Sequence, residues 1–228
     1  MTSVDSPAYR VSALATALVR MWRAWVVIVV VSVVNAAIQV LLVLAGADAA
    51  RTPLVWALAT LSLLALVLSF GLVCRALLDS LDSRGRVTFS RALIRATGRR
   101  FPALIGWSLA LVGLATLGLL VYVVPGLVVL ALFPYLLIAV VDGRARPVAV
   151  NFRTIAARWG RWLVTVVVVG AIAFAIWLGA ALDTFFLRTA PGLFVGWILI
   201  GIIASWTTCA WALVYRAVNA ATSPDPAT

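Results

Sequence analysis

The side chains that carry most enzymatic chemistry are missing from this sequence. It contains no His, no Glu and no Lys, so general acid–base work would fall to Asp, Tyr or Cys. Of its seven acids, Asp79, Asp82 and Asp142 fall in the two longest arginine-rich segments and are expected to share one face. Hard cations gather several oxygen ligands at defined spacing, and these three are scattered. Asp142 is expected to be a solvated acid beside the loop arginines Arg144 and Arg146. No Ser, Thr or Cys has a base near it in the sequence. Cys74 and Cys209 have no metal-ligand neighbour and are expected to be reduced packing residues. A non-enzymatic protein with no cofactor and no metal follows.

What the sequence does offer is uncharged polar groups in apolar surroundings. Asn35 and Gln39 are four residues apart, on one helix face, with Ser32 beside them; Ser205, Thr207 and Thr208 stand in the last apolar run. In lipid such groups bond helices to one another, or they line a route for an uncharged solute. Ionisable residues inside spans mark ion pathways, and the apolar runs contain none, so proton coupling through buried carboxylates is not expected. Pro134 sits midway in the short run 126–141. It removes the N–H that would bond the Leu130 carbonyl, so a kink is expected there; interrupted short spans line the sites of some transporters. Gly192 and Gly196 are spaced for close helix approach, within the bundle or between copies of the chain.

The second constellation is basic. Arg99 and Arg100 end one hydrophilic segment and Arg158 and Arg161 end another, with Trp159 and Trp162 alongside. Each Arg near an anionic leaflet contributes ~1 kcal/mol. These six residues are therefore candidate contacts for an anionic phospholipid, the tryptophans packing at the acyl boundary. All 18 basic residues are Arg, which is read as GC-rich codon usage.

The elements that must position these groups are membrane helices. Hydrophobic residues make up 65% of the 228 and charged ones 11%, with mean hydropathy +1.16; a soluble domain carries roughly 25% charge. The chain is uncharged over 24–47, 52–74, 101–141, 162–182 and 189–215. A crossing helix needs ~20 residues, so the expectation is an all-α bundle of six spans, near 24–44, 54–74, 102–122, 126–141, 162–182 and 193–215. The turn between the third and fourth falls at Tyr122–Gly126. The first span is too long for a cleaved signal segment and is expected to be retained. The alternating ten-residue segments of a β-barrel do not occur.

Segments 1–23, 75–101, 142–161 and 216–228 hold sixteen of the eighteen arginines. Retention of Arg on the inner side then puts both termini in the cytoplasm of a bacterium, with 1–23 and 216–228 as the cytoplasmic N-terminal segment and tail. The tail is expected to be disordered. This topology also accounts for the net charge of +11 without a nucleic-acid partner. Pro53, Pro125 and Pro191 begin the spans that enter from outside, where a missing N–H costs nothing. Trp56 and Trp197 fall at the outer boundary, and Trp22, Trp25, Trp159, Trp162 and Trp211 at the inner one. Residues 9–23, 88–99 and 148–159 have apolar and basic positions at helical spacing. They are expected as amphipathic helices in the headgroup plane, each followed by an outgoing span, a turn and a returning span. For 9–23, a straight extension of the first span is the alternative. In 148–159 the apolar positions are Val150, Ile155 and Trp159.

Two resemblances touch residues 125–162. Asp142-Gly143-Arg144-Ala145-Arg146 resembles the start of the CDP-alcohol phosphotransferase signature, but the spacing differs and no carboxylate follows before Asp183, so the metal site of that family cannot be built. Pro125-Gly126, Asp142-Gly143 and the amphipathic segment 147–161 resemble poorly characterised bacterial multi-span proteins. Among those is the membrane domain joined to some glycerophosphoryl diester phosphodiesterases. Asn151 stands where that group has a Ser. The resemblance implies a helical bundle in the plasma membrane and carries no phosphodiesterase activity. The expected function is a membrane-embedded interaction or lipid-associated module, with the bilayer and another membrane protein or a second copy as partners. The alternative is a small permease component using uncharged groups.

Overall fold

The computed structural model describes residues 7–44, 53–83, 85–121, 123–186 and 190–219, and among these it is helical with no strand. Helix α1 (Pro7–Met21) passes through a 3-10 turn (Trp22–Ala24) into α2 (Trp25–Leu44). Met21 and Trp25 both keep right-handed helical backbone angles, so the three pieces form one rod. Part of α1 packs inside the protein, while Leu18 and Trp22 are exposed. Ala17, Met21 and Ala24 are buried, and the Trp206 indole donates to the Leu14 carbonyl at 3.0 Å. Of the two arrangements considered for 9–23, the structure has the straight extension.

Next come α3 (Pro53–Asp82), α4 (Arg91–Val121), α5 (Val123–Leu132) and α6 (Leu136–Val141). The chain ends with α7 (Pro147–Ala157), α8 (Trp159–Phe186) and α9 (Ala190–Asn219). The segment 88–99 is not a separate in-plane helix either. Ser90 caps α4 by accepting the Leu93 N–H at 3.1 Å, and the helix runs on through Pro102 without a break. Leu93 and Thr97 are buried in the bundle, which removes the reason for this stretch to lie flat. The three expected repeats therefore differ: only 142–161 makes a bend before its apolar run. Helix α9 also takes in 216–219 of the expected tail; the remainder of that tail, the first outer turn, Tyr122 and Thr189 lie outside the described residues.

Four stretches are long and apolar enough to cross a bilayer: Leu14–Leu44, Trp56–Asp82, Arg91–Leu120 and Gly192–Asn219. Pro147–Ala157 and Trp159–Ile172, bent by 100°, make a fifth if counted as one. Pro125–Val141 is shorter and is interrupted at 133–135. Among the described residues the fold is thus all-helical with four to five candidate spans, compatible with a multi-pass membrane protein. Leu41, Leu44, Leu61, Leu109, Leu117 and Leu120 are exposed on its flanks, as lipid-facing positions are.

The buried core lies toward the arginine-rich end, in two clusters. One joins α1, α2, α3, α4 and α9 through Val27, Ile28, Leu77, Leu93 and Cys209. The other joins α3, α4, α6 and α9 through Cys74, Leu78, Leu104, Tyr135, Ile138 and Tyr215. Close helix approach occurs at Gly201 and Gly118 and not at Gly196, one of the expected pair. A Cβ on Gly201 would lie 2.5 Å from Ser32 Oγ, and one on Gly118 would lie 2.7 Å from the Gly126 nitrogen, whereas one on Gly196 would meet nothing within 4 Å.

Candidate functional site

The interruption at Pro134 organises the arginine-rich end. An α-helix pairs each N–H with the carbonyl four residues back, so a break leaves backbone groups without partners, and in lipid each costs several kcal/mol. Here α6 restarts with Leu136 N–H bonded to the Phe133 carbonyl at 3.3 Å. Three of the groups around the break are taken up by side chains from further along the chain. Asn151 Nδ2 donates to the Leu132 carbonyl at 2.8 Å, and its Oδ1 accepts the Tyr135 N–H at 3.0 Å. The Trp162 indole donates to the Ala131 carbonyl at 2.8 Å. Asn151 is 0% exposed. Trp162 is half-buried, and its indole N–H is part of the clasp on the broken helix.

One turn further, Asp142 is the hub of a charged knot rather than a solvated acid. Its side chain is 8% exposed. Oδ2 accepts from the Tyr215 hydroxyl at 2.7 Å and from Arg144 Nε at 2.9 Å, while Oδ1 pairs with Arg216 Nη1 at 3.0 Å. Arg216 Nη2 reaches Asp82 at 2.7 Å. The ends of α3, α6 and α9 are tied together in this way. Burial pushes the Asp142 carboxyl up, but the Tyr215 hydrogen bond, Arg216 and Arg144 outweigh it and hold the group below its ordinary range. Beside the knot, Asn219 bonds Arg153, Thr154 and the Tyr215 carbonyl, so α7 is tied to α9.

Held by Asn151, Thr154 and Arg153, α7 turns 100° from α8. The corner is Arg158, whose φ of −142° and ψ of 41° leave helical space; Arg161 and Trp162 N–H groups close back onto its carbonyl at 3.0 Å. The apolar positions divide differently from the expected pattern. Val150 and Ile155 pack on the second core cluster, while Ala149, Phe152 and Ala156 form an exposed stripe on α7 at three- and four-residue spacing, and Trp159, just past the corner, is exposed too. Arg158, Trp159 and Arg161 line one pocket of about 280 Å³ at the corner. Arg100 lies over Gly143, whose φ is +83° and whose added Cβ would fall 2.5 Å from the guanidinium. Arg99 is exposed. The two basic segments thus meet through Arg100 and the Asp142–Gly143 turn.

Asn35 and Gln39 share a face but not a site. Gln39 Nε2 donates to Ser62 Oγ at 2.6 Å, joining α2 to α3. Asn35 lines a cavity of about 220 Å³ between α2, α3 and α9, with Ser32, Ser69, Phe70, Ser205 and Thr208. Its Oδ1 is buried and has no hydrogen-bond partner, at a cost of about 1–3 kcal/mol. Ser205 and Thr208 spend their protons on the Gly201 and Ala204 carbonyls at 2.7 Å, which leaves their oxygens to the cavity as acceptors.

Tyr215, Arg216 and Asn219 were not among the expected site residues. Their signal in the sequence is that Arg216 and Asn219 follow the last span at helical spacing, so one turn of α9 outside the apolar run faces inward. No known protein family, no curated protein and no solved structure matches this chain.

Proposed function

We propose that the chain is a six-span protein of the bacterial cytoplasmic membrane, both termini inside, acting without catalysis as a lipid-associated module. Its basic rim lies against anionic headgroups. One observation carries this reading: the corner at Arg158. If α8 crosses the bilayer, a helix at 100° to it runs along the surface. Its exposed residues Ala149, Phe152 and Ala156, with Trp159 at the start of α8, then meet the acyl boundary, chiefly through the two aromatic rings, with Arg158 and Arg161 at headgroup level. The clasp on the broken stretch supports counting 126–141 as a span, the fourth of the six. Three of its freed backbone groups have side-chain partners, as irregular backbone at membrane depth requires.

The test replaces Arg99, Arg100, Arg158 and Arg161 with Gln and uses topology reporters to establish that orientation is unchanged. Anionic phospholipid retained through purification falls severalfold if the rim binds it. An unchanged anionic fraction in a correctly oriented variant leaves these arginines as topology signals alone. A second reading, a small permease component, is favoured by the uncharged cavity at Asn35 and predicts solute flux in vesicles that a bulky residue in that cavity abolishes.

A further inference from the structure

The cavity between α2, α3 and α9 has three properties that together specify a ligand. No ionisable side chain lines it. Its polar wall offers donors, the Ser32 and Ser69 hydroxyls, and acceptors: Asn35 Oδ1 is buried without a partner, and the Ser205 and Thr208 oxygens have already given their protons to backbone. The lining residues exposed on the outside of the bundle, Leu66 and Ala204, belong to α3 and α9, so the mouth opens sideways between those helices. In a membrane that side is hydrocarbon. A charged solute has no counter-charge here, and an aprotic apolar molecule leaves the Asn35 oxygen unbonded. The remaining class is an uncharged amphiphile with a hydroxyl donor. The volume of about 220 Å³ exceeds the ~150 Å³ of cavities that hold benzene.

We propose that this cavity binds the free hydroxyl end of a neutral lipid, of the diacylglycerol or long-chain alcohol type, taken in sideways from the bilayer. The site is independent of the arginine rim.

The test uses the full chain in phosphatidylcholine nanodiscs with four photoreactive probes: dioctanoylglycerol, octanol, and the methyl ether of each. Dioctanoylglycerol is expected to label the α3 and α9 walls, and its methyl ether about tenfold less, the loss of roughly one hydrogen bond. Asn35→Leu is expected to remove the difference between the two. Ala204→Trp, on an exposed position that tolerates bulk, is expected to block labelling at the mouth even if Asn35→Leu fails to fold. Replacing the four rim arginines with Gln is expected to leave labelling unchanged. Equal labelling by alcohol and ether, or persistence of labelling in Ala204→Trp, overturns the site. Labelling by octanol but not by dioctanoylglycerol overturns the lipid assignment in favour of a small free alcohol.

Discussion

Asn151 holds Tyr135 across a broken helix. Its Oδ1 accepts the Tyr135 N–H at 3.0 Å, and its Nδ2 covers the Leu132 carbonyl at 2.8 Å. One carboxamide therefore serves a donor and an acceptor that are three residues apart, and it comes from a helix beyond the next turn. Asn151→Ala leaves both backbone groups unbonded and should cost ~2–6 kcal/mol, from about 1–3 for each orphaned group. Asn151→Ser reaches one group at most and should fall between. Detergent-titrated unfolding measures this; a loss below ~0.5 kcal/mol for the Ala variant, less than one net hydrogen bond, would show that water or lipid headgroups satisfy the break instead.

The Asp142 knot makes stability depend on acid. Because the folded carboxyl titrates below its ordinary range, its contribution is fully present above about pH 4, the unfolded value. It is lost as pH falls through the lower folded value. The melting temperature should therefore drop on acidification below about pH 4. Asp142→Asn keeps an acceptor for Tyr215 but leaves Arg144 and Arg216 without this counter-charge. It should cost ~1–3 kcal/mol at neutral pH, less than a fully buried pair because both arginines are partly exposed. In this variant the acid-dependent drop should shrink; an identical drop would place the responsible carboxylate elsewhere.

The exposed stripe on α7 predicts a depth pattern different from that of the sequence's own apolar positions. Nitroxides at Phe152 and Trp159 should be relaxed by oxygen, which partitions into lipid. One at Arg153 should respond to a water-soluble nickel chelate. At Ile155, which packs on the second core cluster, both reagents should be weak. Chelate access at Phe152 and Trp159 would take α7 off the membrane surface.

Gly143 occupies left-handed backbone space at φ +83° beneath the Arg100 guanidinium. Gly143→Ala should cost ~1–2 kcal/mol from conformation alone and more from the clash. Pairing it with Arg100→Ala should recover the steric part, so the two changes should be non-additive in a thermodynamic cycle. Strict additivity would mean that Arg100 does not rest on that turn.

Much of the architecture was legible because hydrophobic run length is a one-dimensional quantity. The ends of α2, the start of α3 and the interruption at Pro134 follow from where charges stop and prolines fall, whereas α3 runs past its expected end to Asp82 and Val123–Gly126, expected as a turn, are helical. The basic segments were harder. Residues 9–23, 88–99 and 148–159 share the same spacing, yet only the last bends away from its span. The difference lies in partners: Leu14 and Ala17 meet α9, and Leu93 and Thr97 enter the bundle, whereas α7 is fixed by Asn151 and Asn219. Such pairings link residues as far apart as Asp82 and Arg216, and periodicity within one segment contains no information about them. Asn151 and Trp162 were noticed for their types, but their task depends on a break that only the folded chain places beside them.

The two thiols have a consequence for how the fold comes apart. Cys209 lies in the first core cluster and Cys74 in the second, both at 0% exposure, so neither reacts while its own half stays closed. Each cluster thus contains its own chemical clock. The ratio of the two modification rates under mild denaturation reports whether the molecule opens in a single cooperative event or unlatches one half at a time.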